Sequence, residues 1–244
     1  MFRTLNALIL REVRYREADR ILTVLTEQGG KQTVTAHGAL SRRSKMAAAT
    51  QQLTYAELTV FEKNNRLSVR EGSVKEAFAG LRKDIRKLAL GSYFAECLET
   101  FAAEDQPEPE LLQLGLNCLY ALSEDLCPEE KIKLAFELRL AAATGYAPET
   151  DQCPVCGRTD IVEPVFLADE GRVVCRACRQ AGRAFPLEGG TLPAMRQVLQ
   201  APPKKILRFQ LNPEEIRALG VLAEQWLLRC AGKSIPTLQY YREL

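Results

Sequence analysis

The sequence predicts an α+β multidomain protein in which a five-stranded antiparallel barrel is followed by an all-α domain with an inserted four-cysteine ribbon. Three observations predict this fold: apolar residues recur at a period near two up to about residue 78, the period then becomes helical, and two Cys-x2-Cys pairs follow. The predicted domains are residues 1–80, residues 81–152 joined with 184–244, and the inserted segment 153–183.

Five segments before residue 78 have the alternation typical of short strands. In the last of them Leu67 and Val69 would face the core, whereas Arg70 would face solvent. Five such strands suit a small closed OB-like barrel, whose outer face and loops commonly bind single-stranded nucleic acid. The predicted strands are Leu5–Val13, Ile21–Thr26, Lys31–Ala36, Tyr55–Phe61 and Leu67–Val74.

Basic residues are concentrated in the barrel segment. Residues 1–80 hold 13 Lys and Arg against 8 Asp and Glu, whereas residues 81–244 hold 20 against 23. No acid occurs between Glu27 and Glu57. This asymmetry favours a shared polyanion site over a merely solvated face, although a solvated role stays open for any single cation. The expected phosphate contacts are Arg14, Arg16, Arg20, Lys31, Arg42, Arg43, Lys45, Arg66 and Arg70.

Aromatic residues of the same segment could stack on bases. The candidates are Tyr15, Tyr55 and Phe61, of which Phe61 is expected to pack in the core instead. His37, the only histidine, either contacts nucleic acid or is a surface residue with no role.

Beyond Gly80 the apolar residues recur at helical spacing. The final helix has the clearest signals, because Asn212 offers an N-cap, Pro213 suits the first turn, Glu215 completes a capping box and Gly232 ends the helix. The other predicted helices are residues 81–102, Glu110–Ser123 and Pro128–Thr144, with two weaker stretches at Thr191–Gln200 and Lys204–Leu211.

Eight cysteines occur, and four of them have metal-ligand spacing. Cys153 and Cys156 form one Cys-x2-Cys pair, Cys175 and Cys178 form a second, and 18 residues separate the pairs. This spacing is typical of a structural zinc ribbon, in which four thiolates leave no open coordination position for catalysis. Residues 151–183 contain five arginines and five acids, so their charges balance. We therefore expect the metal site to stabilise the fold rather than to bind phosphate.

Enzymatic activity is not expected. The sequence has one histidine, and it contains no G-x-G-x-x-G motif, no H-E-x-x-H motif and no complete phosphate-binding loop. The usual set of catalytic residues therefore cannot be assembled from it. No apolar run of about 18 residues predicts a membrane span, and the short apolar run near the start is followed at once by charges. A cytoplasmic, nucleoid-associated location is expected, in which thiols stay reduced.

Two stretches of the predicted barrel are FRTLNALILREVRYREADRILTVLTEQGGKQTVTAHGA and TYAELTVFEKNNRLSVREGSVKEAF. They resemble the first three and the last barrel strands of the bacterial RecO recombination mediators. The order of barrel, helices and cysteine segment extends the resemblance over the whole chain. Between the two stretches the basic residues are kept, but the Pro-Phe found in many members is absent.

This resemblance implies a protein that binds single- and double-stranded DNA, anneals complementary strands, partners RecR, and helps RecA replace single-strand-binding protein (SSB). It implies no enzymatic turnover, and the zinc motif is not universal in the family. For the acidic tail of SSB, the sequence offers basic residues on the helical half: Lys131, Lys133, Arg139, Lys204, Lys205 and Arg208.

Three other functions stay open on the sequence. A sequence-specific zinc-ribbon DNA-binding regulator predicts base preference that is lost with the cysteine segment. A hydrolase or nuclease predicts strand scission with added divalent metal. A purely protein-binding adaptor predicts no affinity for DNA at low salt.

Overall fold

The computed structural model describes residues 1–180 and 182–244, which pack as two compact units. The first unit comprises residues 1–124 and 235–244, and the second comprises residues 125–234. The domain bounds drawn from the sequence at residues 80, 152 and 183 stay a prediction. In the part of the chain that the structure describes, no helix is both long and apolar enough to cross a bilayer.

The first unit is built on the predicted five-stranded barrel, which closes in the order β1-β2-β3-β5-β4. Four pairings are antiparallel, whereas the closing pair, β3 with β5, is parallel and sets Ala36 opposite Val69. An odd number of strands cannot close through antiparallel pairs alone, because each such pair reverses direction. The strands are β1 Phe2–Tyr15, β2 Asp19–Thr26, β3 Gly30–Ala36, β4 Tyr55–Lys63 and β5 Arg66–Glu76.

Side-chain alternation fills the barrel as predicted. Ala56, Leu58 and Val60 of β4 are fully buried in its core. The same alternation turns Phe61 outward, where it is only half-buried. The expectation that Phe61 packs in the core was therefore wrong.

Three helices complete the first unit: α1 Ile85–Phe101, α2 Pro109–Ser123 and α6 Pro236–Glu243. The helix predicted from residue 81 begins instead at Ile85, because the Asp84 side chain accepts the backbone N–H of Arg86 at 2.8 Å and caps the first turn. Residues Ala79–Lys83 form a separate 3-10 turn. The sequence did not reveal α6, which joins α1 through a 3.0 Å hydrogen bond from the Thr237 N–H to Glu96 Oε2.

The second unit combines three helices with the cysteine segment. Its last helix has the predicted capping box between Asn212 and Glu215, and Gly232 adopts a φ of 62° at its end. The weaker stretch at residues 204–211 is not an α-helix, and its first two residues belong to the 3-10 turn Pro203–Lys205. The elements are α3 Glu129–Ala143, β6 Pro164–Leu167, β7 Arg172–Cys175, β8 Ala184–Pro186, α4 Thr191–Gln200 and α5 Pro213–Ala231.

Lys133, one of the basic residues predicted to contact an acidic peptide, is buried in this unit. Lys133 is 9% exposed, and its Nζ lies 2.7 Å from both Glu137 Oε1 and Glu224 Oε2. Burial acts to lower the pKa of Lys133, but the two carboxylates outweigh it and the pKa is raised. Lys133 therefore holds α3 to α5 and was wrongly placed on a peptide-binding rim.

Candidate nucleic-acid interface and metal centre

The loop of residues 37–54, here called the β3–β4 loop, is fixed at its start to the turn between β1 and β2. The Leu40 N–H donates to the Ala18 carbonyl at 2.8 Å. Asp19 accepts from the Gly38 N–H at 2.8 Å and lies 2.9 Å from His37 Nδ1. The Gly38 N–H first and His37 second lower the pKa of Asp19. These contacts make His37 part of the turn that starts the loop.

Arg20 fixes the far end of the same loop. It donates to the Ala47 carbonyl at 3.0 Å and to Thr50 Oγ1 at 2.9 Å, and it lies 3.4 Å from Glu12. Only 11% of its side chain is exposed. Residues 40–47 are thereby held beside the β1–β2 turn, and Arg20 is an internal anchor with little surface to offer a phosphate.

Lys31 is engaged in a similar way. Its Nζ donates to the Glu99 carbonyl at 2.9 Å and lies 3.9 Å from Glu104, with 17% of its side chain exposed. Like Arg20, Lys31 serves mainly internal contacts, in this case between β3 and the residues in and just after α1.

The other seven predicted phosphate contacts are exposed. Cross-strand register links Arg14 to Arg20, Arg20 to Ala36, and Ala36 to Val69, so Arg14 and Arg70 lie at the same end of the barrel as the loop. Arg66 lies four residues before Arg70 on β5, roughly 13 Å from it, beside the β4–β5 turn. Within residues 1–180 and 182–244, none of these seven forms a salt bridge: Arg14, Arg16, Arg42, Arg43, Lys45, Arg66 and Arg70.

The internal role of Arg20 predicts a specific mutant phenotype. We expect Arg20→Met to lower the free energy of unfolding by about 2 kcal/mol, because hydrogen bonds from a charged donor to the Ala47 carbonyl and Thr50 are lost. Denaturant unfolding measures this loss. The matched variant Arg14→Met should leave stability within about 0.5 kcal/mol, since Arg14 is exposed. Equal stability of the two variants would contradict the anchor role.

Aromatic rings accompany three cations on the barrel surface. The Arg16 guanidinium lies 5.1 Å from the Tyr15 ring centroid, and the Arg70 guanidinium lies 5.5 Å from that of Phe61. Lys75 Nζ lies 5.9 Å from the ring of Tyr55. The sequence did not single out Phe2, which is 64% exposed and contacts Phe61.

The four predicted metal ligands converge. The sulfur atoms of Cys153, Cys156, Cys175 and Cys178 all lie within 4.8 Å of one another, and those of Cys156 and Cys175 are 3.8 Å apart. A tetrahedral ion with metal–sulfur bonds of about 2.3 Å requires sulfur–sulfur distances of about 3.8 Å. The cluster therefore has the size and donor set of a four-thiolate metal site.

Local hydrogen bonds and burial shift the pKa values of the cluster's thiols. Burial acts to raise the pKa of Cys153, but backbone N–H groups of Cys175, Cys156 and Val155 donate to its sulfur and hold the pKa at about 6. For Cys178, a hydrogen bond with the Cys156 side chain and burial raise the pKa to about 12. A cation at the centre would stabilise the thiolate forms of all four.

Two arginines of the cysteine segment have acidic neighbours. Arg172 pairs with Glu170, and Arg176 lies 3.9 Å from Glu163. Asp169 of the same segment pairs with Arg229 of α5 at 3.2 Å. This pairing supports a structural role for the segment over a phosphate clamp.

Comparison with known proteins covers both parts of the chain. Residues 1–78 match the family model described as Recombination protein O N terminal, and residues 82–239 match that described as Recombination protein O C terminal. Several similar proteins are named DNA repair protein RecO. The one from Desulforudis audaxviator is 35% identical over 98% of this chain and 96% of its own length. The one from Heliobacterium modesticaldum is 32% identical over 93% of this chain and 84% of its own length. The one from Acetivibrio thermocellus is 28% identical over 98% of this chain and 96% of its own length.

Proposed function

The chain belongs to the RecO family of recombination proteins, and from this premise we propose that it is a non-enzymatic DNA-binding mediator of repair. It binds single- and double-stranded DNA through the barrel and anneals complementary strands. One observation carries the proposal: six exposed cations that form no salt bridge within the described residues lie at the barrel end that bears the β3–β4 loop. These are Arg14, Arg16, Arg42, Arg43, Lys45 and Arg70.

The charge arrangement explains how annealing is assisted. Two complementary strands repel each other through their phosphates, and this repulsion opposes pairing. Cations that displace condensed counterions from each strand reduce the repulsion and gain entropy from the released ions. Since the loop is held at both ends, by Asp19 and by Arg20, its cations are presented without a large ordering cost on binding.

In this proposal the second unit contains a structural zinc ion held by Cys153, Cys156, Cys175 and Cys178. Zinc suits the site because four thiolates match its preferred ligands, and their sulfur atoms, all within 4.8 Å of one another, are close to the spacing of its tetrahedral geometry. The ion ties the strand end at Cys175 to the buried Cys153 and so stabilises the core of the unit.

The wild-type protein provides the direct test of DNA binding. We expect single strands of unrelated sequence to bind with similar affinity to one another, and likewise duplexes of unrelated sequence, and we expect log affinity to fall linearly with log salt concentration. Fluorescence anisotropy across a salt series measures both, and fluorescence quenching of paired labels measures annealing. Strong base preference would favour the sequence-specific regulator instead, and absence of binding at low salt would favour the adaptor.

Family membership also leads us to propose RecR, RecA and SSB as functional partners, in the cytoplasm at the nucleoid. Lys204, Lys205 and Arg208 are exposed together around the 3-10 turn of the second unit, where they could meet an acidic, apolar-ended peptide such as the tail of SSB. We expect reversal of these three charges to abolish binding of the tail peptide, measured by calorimetry, while DNA affinity stays unchanged. Unchanged peptide binding would remove this surface from the proposal.

A further inference from the structure

We propose that Phe2 and Phe61 form a platform on which one unpaired base stacks, while Arg70 holds the neighbouring phosphate. This inference rests on the proposed DNA binding. It adds a base-contacting site that binds unpaired strands and does not bind the bases of a duplex. Phe2 of β1 and Phe61 of β4 are direct cross-strand partners, with ring centroids 5.1 Å apart and planes tilted by 56°. Phe2 is 64% exposed, so the pair leaves much of its ring surface to solvent.

A base is the occupant that the surroundings favour. Exposed phenyl rings bind any base through its π-face, and stacking of this kind contributes about 1–3 kcal/mol per base. The carboxylate of Glu62, beside Phe61, is paired with Arg3 at 3.1 Å, which reduces its repulsion of a phosphate. Within the described residues the nearby Arg70 forms no salt bridge, so its positive charge is available to a phosphate beside the rings.

A β-bulge sets the position of Arg70. Thr59 pairs with Glu71 and Val60 pairs with Val69, so Arg70 is the extra residue of β5. Its guanidinium lies 5.5 Å from the Phe61 ring centroid. A phosphate bound there would therefore belong to a nucleotide next to the one stacked on the rings.

The same row of outward residues connects the platform with the basic end of the barrel. Phe61 is opposite Ser68, Ser68 is opposite Thr35, and Thr35 is opposite Ile21. These side chains are short or half-buried, which favours a path for the strand across β5, β3 and β2. In a duplex each base is already stacked on its neighbours and paired, so no base has a free face that could stack on the platform.

The test compares strands that have the same phosphates but different bases. We expect Phe2→Ala to weaken binding of oligothymidylate by about 5- to 150-fold, the equivalent of 1–3 kcal/mol. Binding of a base-free oligonucleotide of equal length and of a duplex should change by less than about twofold. Fluorescence anisotropy measures all three. Phe2→Trp should retain affinity, and its added tryptophan fluorescence should be quenched by oligothymidylate.

Tyr240→Ala is the matched control, because Tyr240 is an exposed aromatic residue of the same unit, on α6, and should leave all three affinities unchanged. Thermal unfolding verifies that each variant is folded. If Phe2→Ala weakens the base-free strand as much as oligothymidylate, or weakens neither, the stacking platform is refuted while the proposed DNA binding stands. If the wild-type protein binds no strand, the proposed function itself fails.

Discussion

Replacing Cys175 with serine is expected to abolish metal binding and to unfold the second unit. Cys175 and Cys153 are buried within the same hydrophobic cluster as Phe166 of β6 and Leu138 of α3, so the metal site is continuous with that core. Binding of structural zinc contributes about 10–16 kcal/mol in small zinc domains, which is comparable to the whole stability of a typical domain. The lost ligand therefore affects far more than one side-chain contact.

Metal content and hydrogen exchange measure this effect separately. Zinc should fall from about one ion per chain to near zero, and amides of α3, β6 and β7 should lose their protection. Cys230→Ala is the control, since Cys230 lies on α5 outside the sulfur cluster and should retain both metal and protection. Full metal content in the Cys175→Ser chain would contradict the four-ligand site.

Local signals explain why much of this fold could be predicted from the sequence. Alternation of apolar residues identified the five strands, and the two Cys-x2-Cys pairs identified the four converging sulfur atoms. The capping box at Asn212 and the glycine at 232 set both ends of α5. Each of these signals lies within a few residues of the element it defines, so no knowledge of distant contacts is needed.

The residues whose surroundings the sequence did not predict depend on distant contacts. Lys31 meets Glu99, 68 residues later, and Lys133 meets Glu224, 91 residues later. A cation that is buried by such a partner cannot be told from an exposed one by its position in a basic segment. Phe2 was missed because the first strand was predicted to begin only at Leu5, although the outward alternation continues through Thr4 to Phe2.

Replacing Arg42, Arg43 and Lys45 together with alanine is expected to weaken binding of every DNA sequence and to flatten its salt dependence. The three residues lie between the loop anchors at Leu40 and Ala47. Each phosphate contact contributes about 0.7 to the slope of log affinity against log salt for a single strand, so the slope should fall by about 2. Exposed charge pairs contribute about 0.2–1 kcal/mol each, and their joint loss corresponds to roughly tenfold in affinity at low salt.

The matched control removes the same number of charges elsewhere. Lys204, Lys205 and Arg208 are also exposed, but they lie in the second unit, and their replacement with alanine should leave the salt slope unchanged. A salt series by fluorescence anisotropy on both triple variants and the wild type gives the comparison. Equal flattening in the two variants would mean that binding follows net charge alone, since each loses three cations. Lost affinity with an unchanged slope in the loop variant would mean that these residues shape the loop but do not contact phosphates.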